Sequence, residues 1–328
     1  MNWRSMALLL ALAAPTWASE THPELELVSE HPVAGMEAGN LSGMAWCGDG
    51  LWAVSDREDN LLYRLDAGDG DAVWQAQTEH FELPPVPDTG LPWGMRMRTQ
   101  ATGMVRGGQM DFEGLACDRL GNRYLVSEAH AAVLRVSPAG TSQWLNLPSA
   151  LIRQARASGM LLKFNAMFEG IAVDPDAGRM WLAAERERRG LLVMHRNQSS
   201  WQCTGGCVLL VEGGNELPPP ALGEQPLPIS FSALAYFNER LFTLEPNAHR
   251  VCRRNLASGK AERCWSYAAT ALADSRRYDT PFGNAEALSL NEQGAWIGVD
   301  NNAQTRADGE KRPIVWRFAA PPGGWSAK

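Results

Sequence analysis

The sequence predicts an all-β fold: a β-propeller of five four-stranded blades, the last of them closed by a strand from the N-terminus. Three observations predict it. First, a short phrase recurs five times: a small or acidic residue, Gly or Ala, an aliphatic residue, then Ala or Ser. The copies are Ser42-Gly43-Met44-Ala45, Glu113-Gly114-Leu115-Ala116, Glu169-Gly170-Ile171-Ala172, Ser232-Ala233-Leu234-Ala235 and Glu286-Ala287-Leu288-Ser289. Second, each copy is followed by an apolar run that ends in an acid, at Asp56, Glu128, Glu185, Glu245 and Asp300. Third, the copies open 71, 56, 63 and 54 residues apart, a spacing that suits a repeated four-stranded unit closed into a ring.

Within each copy the opening phrase forms the innermost strand. A turn rich in Gly, Asp or Asn follows, such as Cys47-Gly48-Asp49-Gly50 or Asp174-Pro175-Asp176-Ala177-Gly178. The second strand is aromatic and aliphatic: residues 51–55, 124–127, 180–184, 241–244 and 296–299. Third strands lie at 61–65, 132–136, 191–194, 250–253 and 314–318. Fourth strands lie at 72–76, 143–147, 207–211 and 263–267. The fifth copy has none, because after Phe318 the chain turns to Pro, Gly and polar residues. A spare strand, Leu25 to Glu30, precedes the first copy and completes the fifth. A sixth blade would have to lie in residues 84–110, which are Pro- and Gly-rich, or in 148–167, where Ile152 to Phe164 reads as a short helix or lid. The long inserts (84–109, 148–165, 217–228 and 271–283) all fall between a fourth strand and the next first strand. One face of the ring should therefore carry them all, and loops on a rigid scaffold are where specificity resides.

At 328 residues with a formal net charge of -7, the acidic balance argues against a nucleic-acid partner and leaves a small anionic molecule or a protein. Arg4, the apolar stretch Met6 to Ala14 and Thr16-Trp17-Ala18 read as a signal peptide over residues 1–18. That leaves residues 19–328 as one exported domain, periplasmic or secreted, with no membrane span. Six cysteines in such a chain suggest disulfides. Cys252 and Cys264 flank a hairpin turn, Cys203 and Cys207 bracket Thr204-Gly205-Gly206, and Cys47 and Cys117 fall at similar places on neighbouring inner strands.

Antiparallel topology gives the phrase a location. The second strand of a blade returns to where the first began, so opening and closing acids share one mouth of the channel. Glu113 should approach Glu128, Glu169 should approach Glu185, and Glu286 should approach Asp300. The first and fourth copies keep only Asp56 and Glu245, with Ser42 and Ser232 at the opening position. So many carboxylates repel one another unless they are protonated, paired with arginines such as Arg57, Arg186, Arg188 and Arg189, or bound to a cation. Oxygen-only ligands suit a hard ion: Ca²⁺ first, then Mg²⁺ or Mn²⁺. Asn60, Asn247, Asn301 and Asn302 would add carbonyl oxygens. His130, His249 and Glu128 are the candidates for acid–base work. In the plainer reading, the opening glutamates bond backbone N–H groups, the closing acids cap turns and the histidines are structural. The chain shows no Gly-x-Ser-x-Gly elbow, zinc motif, phosphate loop or dinucleotide fingerprint.

The segments Asp111-Phe112-Glu113-Gly114-Leu115-Ala116 and Asn165-Ala166-Met167-Phe168-Glu169-Gly170-Ile171-Ala172 resemble the phytase-like family, described as having esterase-like activity of phytase. Asn284-Ala285-Glu286-Ala287-Leu288 and Asp300-Asn301-Asn302 fit the same pattern, so the resemblance runs over nearly the whole exported chain. It implies an exported propeller. The chain is more distantly similar to gluconolactonase-type calcium propellers, in which a Glu-Gly at a blade start holds the metal. Glu113, Glu169 and Glu286 are the matching positions; the first and fourth blades depart from that pattern. Three functions follow: a metal-dependent hydrolase of phosphate or carboxylic esters, a lactonase-like calcium enzyme, or a non-catalytic binding propeller.

Overall fold

The computed structural model describes residues 22–36, 39–68, 70–106 and 108–327, with backbone alone over 100–106. The leader expected over residues 1–18 lies outside the described residues. The fold is an all-β propeller. After strand β1 (Leu27–Ala34), the first blade is β2 (Gly43–Cys47), β3 (Gly50–Val54), β4 (Leu61–Leu65) and β5 (Trp74–His80). Helix α1 (Trp93–Arg106) leads to the second blade: β6 (Phe112–Cys117), β7 (Arg123–Ser127), β8 (Ala132–Val136) and β9 (Ser142–Trp144). Helix α2 (Ala150–Ala157) precedes the third: β10 (Phe168–Val173), β11 (Arg179–Ala184) and a long β12 (Arg188–Asn197), which pairs with both β13 (Ser200–Gln202) and β14 (Val208–Gly213). A short pair, β15 (Asn215–Glu216) with β16 (Leu227–Pro228), precedes the fourth blade: β17 (Ala233–Phe237), β18 (Arg240–Glu245), β19 (Arg250–Arg254) and β20 (Ala261–Ser266). The last is β21 (Ala285–Asn291), β22 (Gly294–Val299) and β23 (Ile314–Ala319).

β1 completes that last blade. It runs antiparallel to β23 from Leu27 to Pro32, then pairs in parallel with β5 at Val33 and Ala34. The first and last blades thereby become one eight-stranded sheet, and two sheet edges that would otherwise stand open are covered.

Two local expectations need correction. Residues 84–110, read only as a Pro- and Gly-rich stretch, hold the 14-residue helix α1 after Pro92. The helix expected over 152–164 begins earlier and is shorter, at Ala150–Ala157. Met95 of α1 packs on the same core cluster as Leu151, Ile152 and Ala155 of α2, which is what holds both helices to the body.

Each inner strand packs against the next around the ring. Its side chains alternate between the two faces of its own blade, so they fill the spaces between blades rather than the channel. Leu115 packs with Trp52 and Val54 of the first blade, while Ala116 packs with Ile171 and Val173 of the third. Met44, Leu115, Ile171, Leu234 and Leu288, the aliphatic position of the five phrases, are all nearly inaccessible. Burying each contributes on the order of 2 kcal/mol. The glycine of the phrase answers a second demand. A Cβ on Gly114 would lie 2.9 Å from the Glu169 carbonyl oxygen, and one on Gly170 would lie 2.8 Å from the Leu234 nitrogen.

The blades are fastened to one another in different ways. Cys47–Cys117 joins β2 to β6, with its Cα atoms 5.5 Å apart. Glu128 accepts the Met167 N–H at 2.9 Å across the second and third blades. Arg189 meets Glu245 at 2.9 Å across the third and fourth. The Ser232 hydroxyl donates to the Ala285 carbonyl at 2.6 Å across the fourth and last. The other two disulfides form within blades. Cys252–Cys264 is a directly opposed pair on β19 and β20, and Cys203–Cys207 closes the turn between β13 and β14. Among the described residues no helix is long and apolar enough to cross a membrane.

Candidate functional site

Side chains of a regular inner strand point mainly sideways between blades, because the pleat sends them to the two faces of the sheet. The three opening glutamates escape this constraint through the register. In β6 and β7, Phe112 faces Ser127 and Gly114 faces Val126, which leaves Glu113 as an extra, unpaired residue. Glu169 stands out of register between Phe168 and Gly170, and Glu286 between Ala285 and Ala287. A bulge re-aims the side chain it carries. All three glutamates line one cavity of about 470 Å³ at the channel mouth. In the first and fourth blades the strands begin just after Ser42 and Ser232, whose N–H groups bond the Val54 and Leu244 carbonyls at 3.1 Å.

Asp56, Glu128, Glu185 and Asp300, the closing acids of four blades, line the same cavity. Their grouping differs in part from the expected pairing within blades. Glu169 and Glu185 do cluster, but Glu128 of the second blade joins them. Glu113 groups instead with Asp56 of the first blade and with Asp111. At two seams the closing acid of one blade thus meets the opening acid of the next: Asp56 meets Glu113, and Glu128 meets Glu169.

The two sets of acids have different partners. The closing acids bond protein groups. Asp56 accepts from Asn40 Nδ2 at 2.8 Å, Asp300 accepts the Asn302 N–H at 2.7 Å and Glu128 accepts the Met167 N–H. Among the described residues, the carboxylates of Glu113, Glu169 and Glu286 receive no hydrogen bond from a backbone N–H or an arginine. Burial pushes all three well above the usual carboxylate range, and neighbouring carboxylates add to the rise: Asp111 and Asp56 at Glu113, Glu185 at Glu169, Asp300 at Glu286. Burial, then Asp111 and Glu185, raises Glu128 to about 8. Burial also raises Glu185 to about 7 against the opposing pull of Arg186. Arg186 grips Glu185 Oε1, while Glu185 Oε2 is buried beside the Glu169 carboxyl and receives no N–H.

The eighth predicted acid does not belong here. Glu245 is 1% exposed and sits among Arg189, Arg250 and Arg254, outside the cavity lining. Burial alone would raise its pKa, but the three guanidinium groups hold it well below the usual range. Two of them stand on β19, where Arg250 is directly opposite Glu245. The two histidines are also elsewhere. Nε2 of His249 meets the Pro281 carbonyl at 3.1 Å, and burial depresses its pKa to about 4. Nε2 of His130 meets the Gln109 carbonyl at 3.2 Å, and burial lowers it too. Neither lines the mouth, which leaves Glu128 as the one acid–base candidate of the three that does. Of the asparagines, Asn247 and Asn302 line the mouth, whereas Asn60 and Asn301 do not.

Sequence reasoning missed Asp111, which joins Asp56 and Glu113 at a backbone φ of +53°. A signal was present: Asn40, Asp111, Ser230 and Asn284 all stand two places before the phrase. It also missed the neutral polar rim of Thr280, from the last insert, Asn284, just after it, and Gln304, from the loop between β22 and β23.

The donor set fits a hard divalent cation. It consists of carboxylate oxygens in two groups, Asp56 with Asp111 and Glu113, and Glu128 with Glu169 and Glu185, and within each group ligand oxygens lie within 4.8 Å of one another. Glu113, Glu169 and Glu286, which carry no arginine partner, are the residues that could hold such an ion.

The profile of a family described as phytase-like, "Esterase-like activity of phytase", matches residues 36–200. That is half the chain, a shorter span than the sequence reading gave, and it stops before Glu286 and Asp300. No curated protein sequence matches the chain. Among solved structures the chain is similar to a Myxococcus xanthus glutaminyl cyclase (12% identity, 92% of this chain and 97% of that one, TM-score 0.49). It is also similar to a PQQ-bound aldose sugar dehydrogenase from Streptomyces coelicolor (12%, 90% and 98%, TM-score 0.43) and to virginiamycin B lyase from Staphylococcus aureus (14%, 91% and 75%, TM-score 0.39).

Proposed function

The chain belongs to the phytase-like family, and from that premise we propose that it is an exported, divalent-cation-dependent hydrolase of phosphate or carboxylic esters, acting in the acidic mouth. One observation carries the reading. Three glutamates from three inner strands are turned into one cavity beside four more acids, and no backbone N–H or arginine among the described residues bonds their carboxylates. Export draws support from three disulfides, which persist in oxidising compartments.

Ca²⁺ is the first choice for so many carboxylate oxygens, with Mg²⁺ or Mn²⁺ behind it. When bound, such an ion polarises a P–O or C=O group and lowers the pKa of water. Glu113, Glu169 and Glu286 would hold it. Glu185, poised near neutrality with Oε1 fixed by Arg186, presents Oε2 to take a proton from an attacking water. Glu128, also near neutrality, can return a proton to a leaving oxygen. Thr280, Asn247, Asn284 and Gln304 give a substrate neutral hydrogen-bond partners around the rim. A highly anionic substrate enters only when cation charge offsets the acids. A purely ligand-binding role is the second reading, favoured by the absence of histidine from the mouth.

The test combines calorimetric titration of Ca²⁺ with a screen of phosphomonoesters, aryl esters and lactones, before and after chelation. Glu113→Gln and Glu169→Gln should each weaken Ca²⁺ binding at least tenfold and remove turnover. If chelation alters neither melting temperature nor activity, the cation reading fails. If Ca²⁺ binds tightly and no ester of any class is cleaved, the binding role replaces the catalytic one.

A further inference from the structure

A second cavity, of about 800 Å³, lies beside the acidic one and has the opposite character. The two are separated by a single turn: Ala131 N–H bonds the Glu128 carbonyl at 3.3 Å. Glu128 faces the acidic mouth, while Ala131 and Ala132 face the second cavity. Its apolar wall is built from Leu145 and Leu147, after β9, and from Leu151 and Ile152 of α2, with Trp144 at one side. The Trp144 indole N–H is occupied by the Pro84 carbonyl at 3.0 Å, so the ring is fixed as a wall.

The charge on the lining is positive, against the sign of the whole chain. Arg153 and Arg156 stand one helical turn apart on α2. Arg153 is exposed and makes no ion pair among the described residues. Arg156 spends one N–H on the Leu161 carbonyl and faces Met95 Sδ at 3.3 Å, with no carboxylate partner. The one acid of the lining, Asp88, is already committed to Arg96 and to the Gly90 N–H. A cavity of this size suits a single small molecule. Apolar walls with two unpaired guanidinium groups on one side suit an apolar body carrying one anionic head.

We propose that this cavity binds a small amphiphilic carboxylate, its apolar body against Leu145, Leu147, Leu151 and Ile152 and its carboxylate at Arg153 and Arg156. The site is separate from the cation-binding mouth and does not depend on what happens there.

Decanoate is the probe, titrated calorimetrically into the full chain at pH 8, with decanol as the uncharged comparison. Arg153→Glu reverses an exposed charge without touching the core. Ser149→Trp places a ring at the rim, where Ser149 is exposed and its hydroxyl caps nothing. Decanoate should bind the wild type, at least tenfold more weakly after Arg153→Glu and not measurably after Ser149→Trp, with melting temperatures unchanged. Decanol should bind at least tenfold more weakly than decanoate. Glu169→Gln should leave decanoate binding intact, which separates this site from the mouth. No binding to the wild type, equal affinity for decanol, or equal affinity in both cavity variants would each overturn the proposal.

Discussion

A buried carboxylate surrounded by others is easier to protonate than to ionise, and this ties Glu128 and Glu185 to pH. Their ordinary value is 4.5; burial and like charge lift them to about 8 and about 7. Through these two groups the folded chain binds more protons than the unfolded chain above pH 4.5, so their contribution to stability falls as pH rises from there through 8, opposed below about pH 6.5 by the depressed His249 and His130. Chelator-treated protein should show a melting temperature that drops from about pH 6.5 to pH 9, corresponding to a loss of stability on the order of a few kcal/mol. Ca²⁺ should flatten the profile and release protons on binding, as seen by titration in two buffers of different ionisation enthalpy. A flat profile without Ca²⁺ would show that these acids are not crowded as described. The closing acids look alike in sequence, yet Glu245 has a different environment. Arg250 stands directly opposite on the next strand, so hairpin register alone could have identified it, whereas Arg254 faces Leu241 in the register and reaches Glu245 only with its long side chain. Arg189 comes from the neighbouring blade and could not have been found that way.

Elements were legible where their pattern was local. Inner and second strands appeared because an apolar run ended by a turn rich in Gly, Asp or Asn has few other uses. Helix α1 was hidden because Pro and Gly dominate the composition of its stretch, while its apolar face, with Met95, is meaningful only against α2. The bulges were also invisible, since nothing in Phe112-Glu113-Gly114 says which residue will be left unpaired. What the sequence did record is the glycine beside them. A Cβ at Gly170 would stand 2.8 Å from the Leu234 nitrogen, and a backbone atom has nowhere to go. Gly170→Ala should cost about 1–3 kcal/mol in urea denaturation. Gly178→Ala, where the nearest atom is a side-chain oxygen at 3.4 Å, should cost much less. Equal losses would mean that the inner strands are free to spread.

At the scale of the whole molecule, closure was legible because strands could be counted. One copy was a strand short and one strand was spare, and the ring follows from joining them. The contents of the mouth were less legible, because its rim comes from inserts with no repeat to align. Closure itself can be tested. Truncation through Ala34 removes β1 and exposes the edges of β5 and β23. The truncated chain should lose its single cooperative unfolding transition and aggregate through those edges. A sharp, fully reversible transition would show that the ring holds without its closing strand.

The unlike fasteners between blades have a consequence for how the ring fails. Backbone pairing through β1, one disulfide, one carboxylate that titrates near neutrality, one shielded ion pair and one hydroxyl each hold a different seam. Such a ring has no uniform weak point. A reductant loosens the seam between the first and second blades, alkali sets the like charges of Glu128, Glu169 and Glu185 against one another at the seam between the second and third, and salt scarcely touches the buried pair between the third and fourth. The solvent therefore chooses where the circle parts, and the seam most exposed to pH is the one that carries the acids of the mouth.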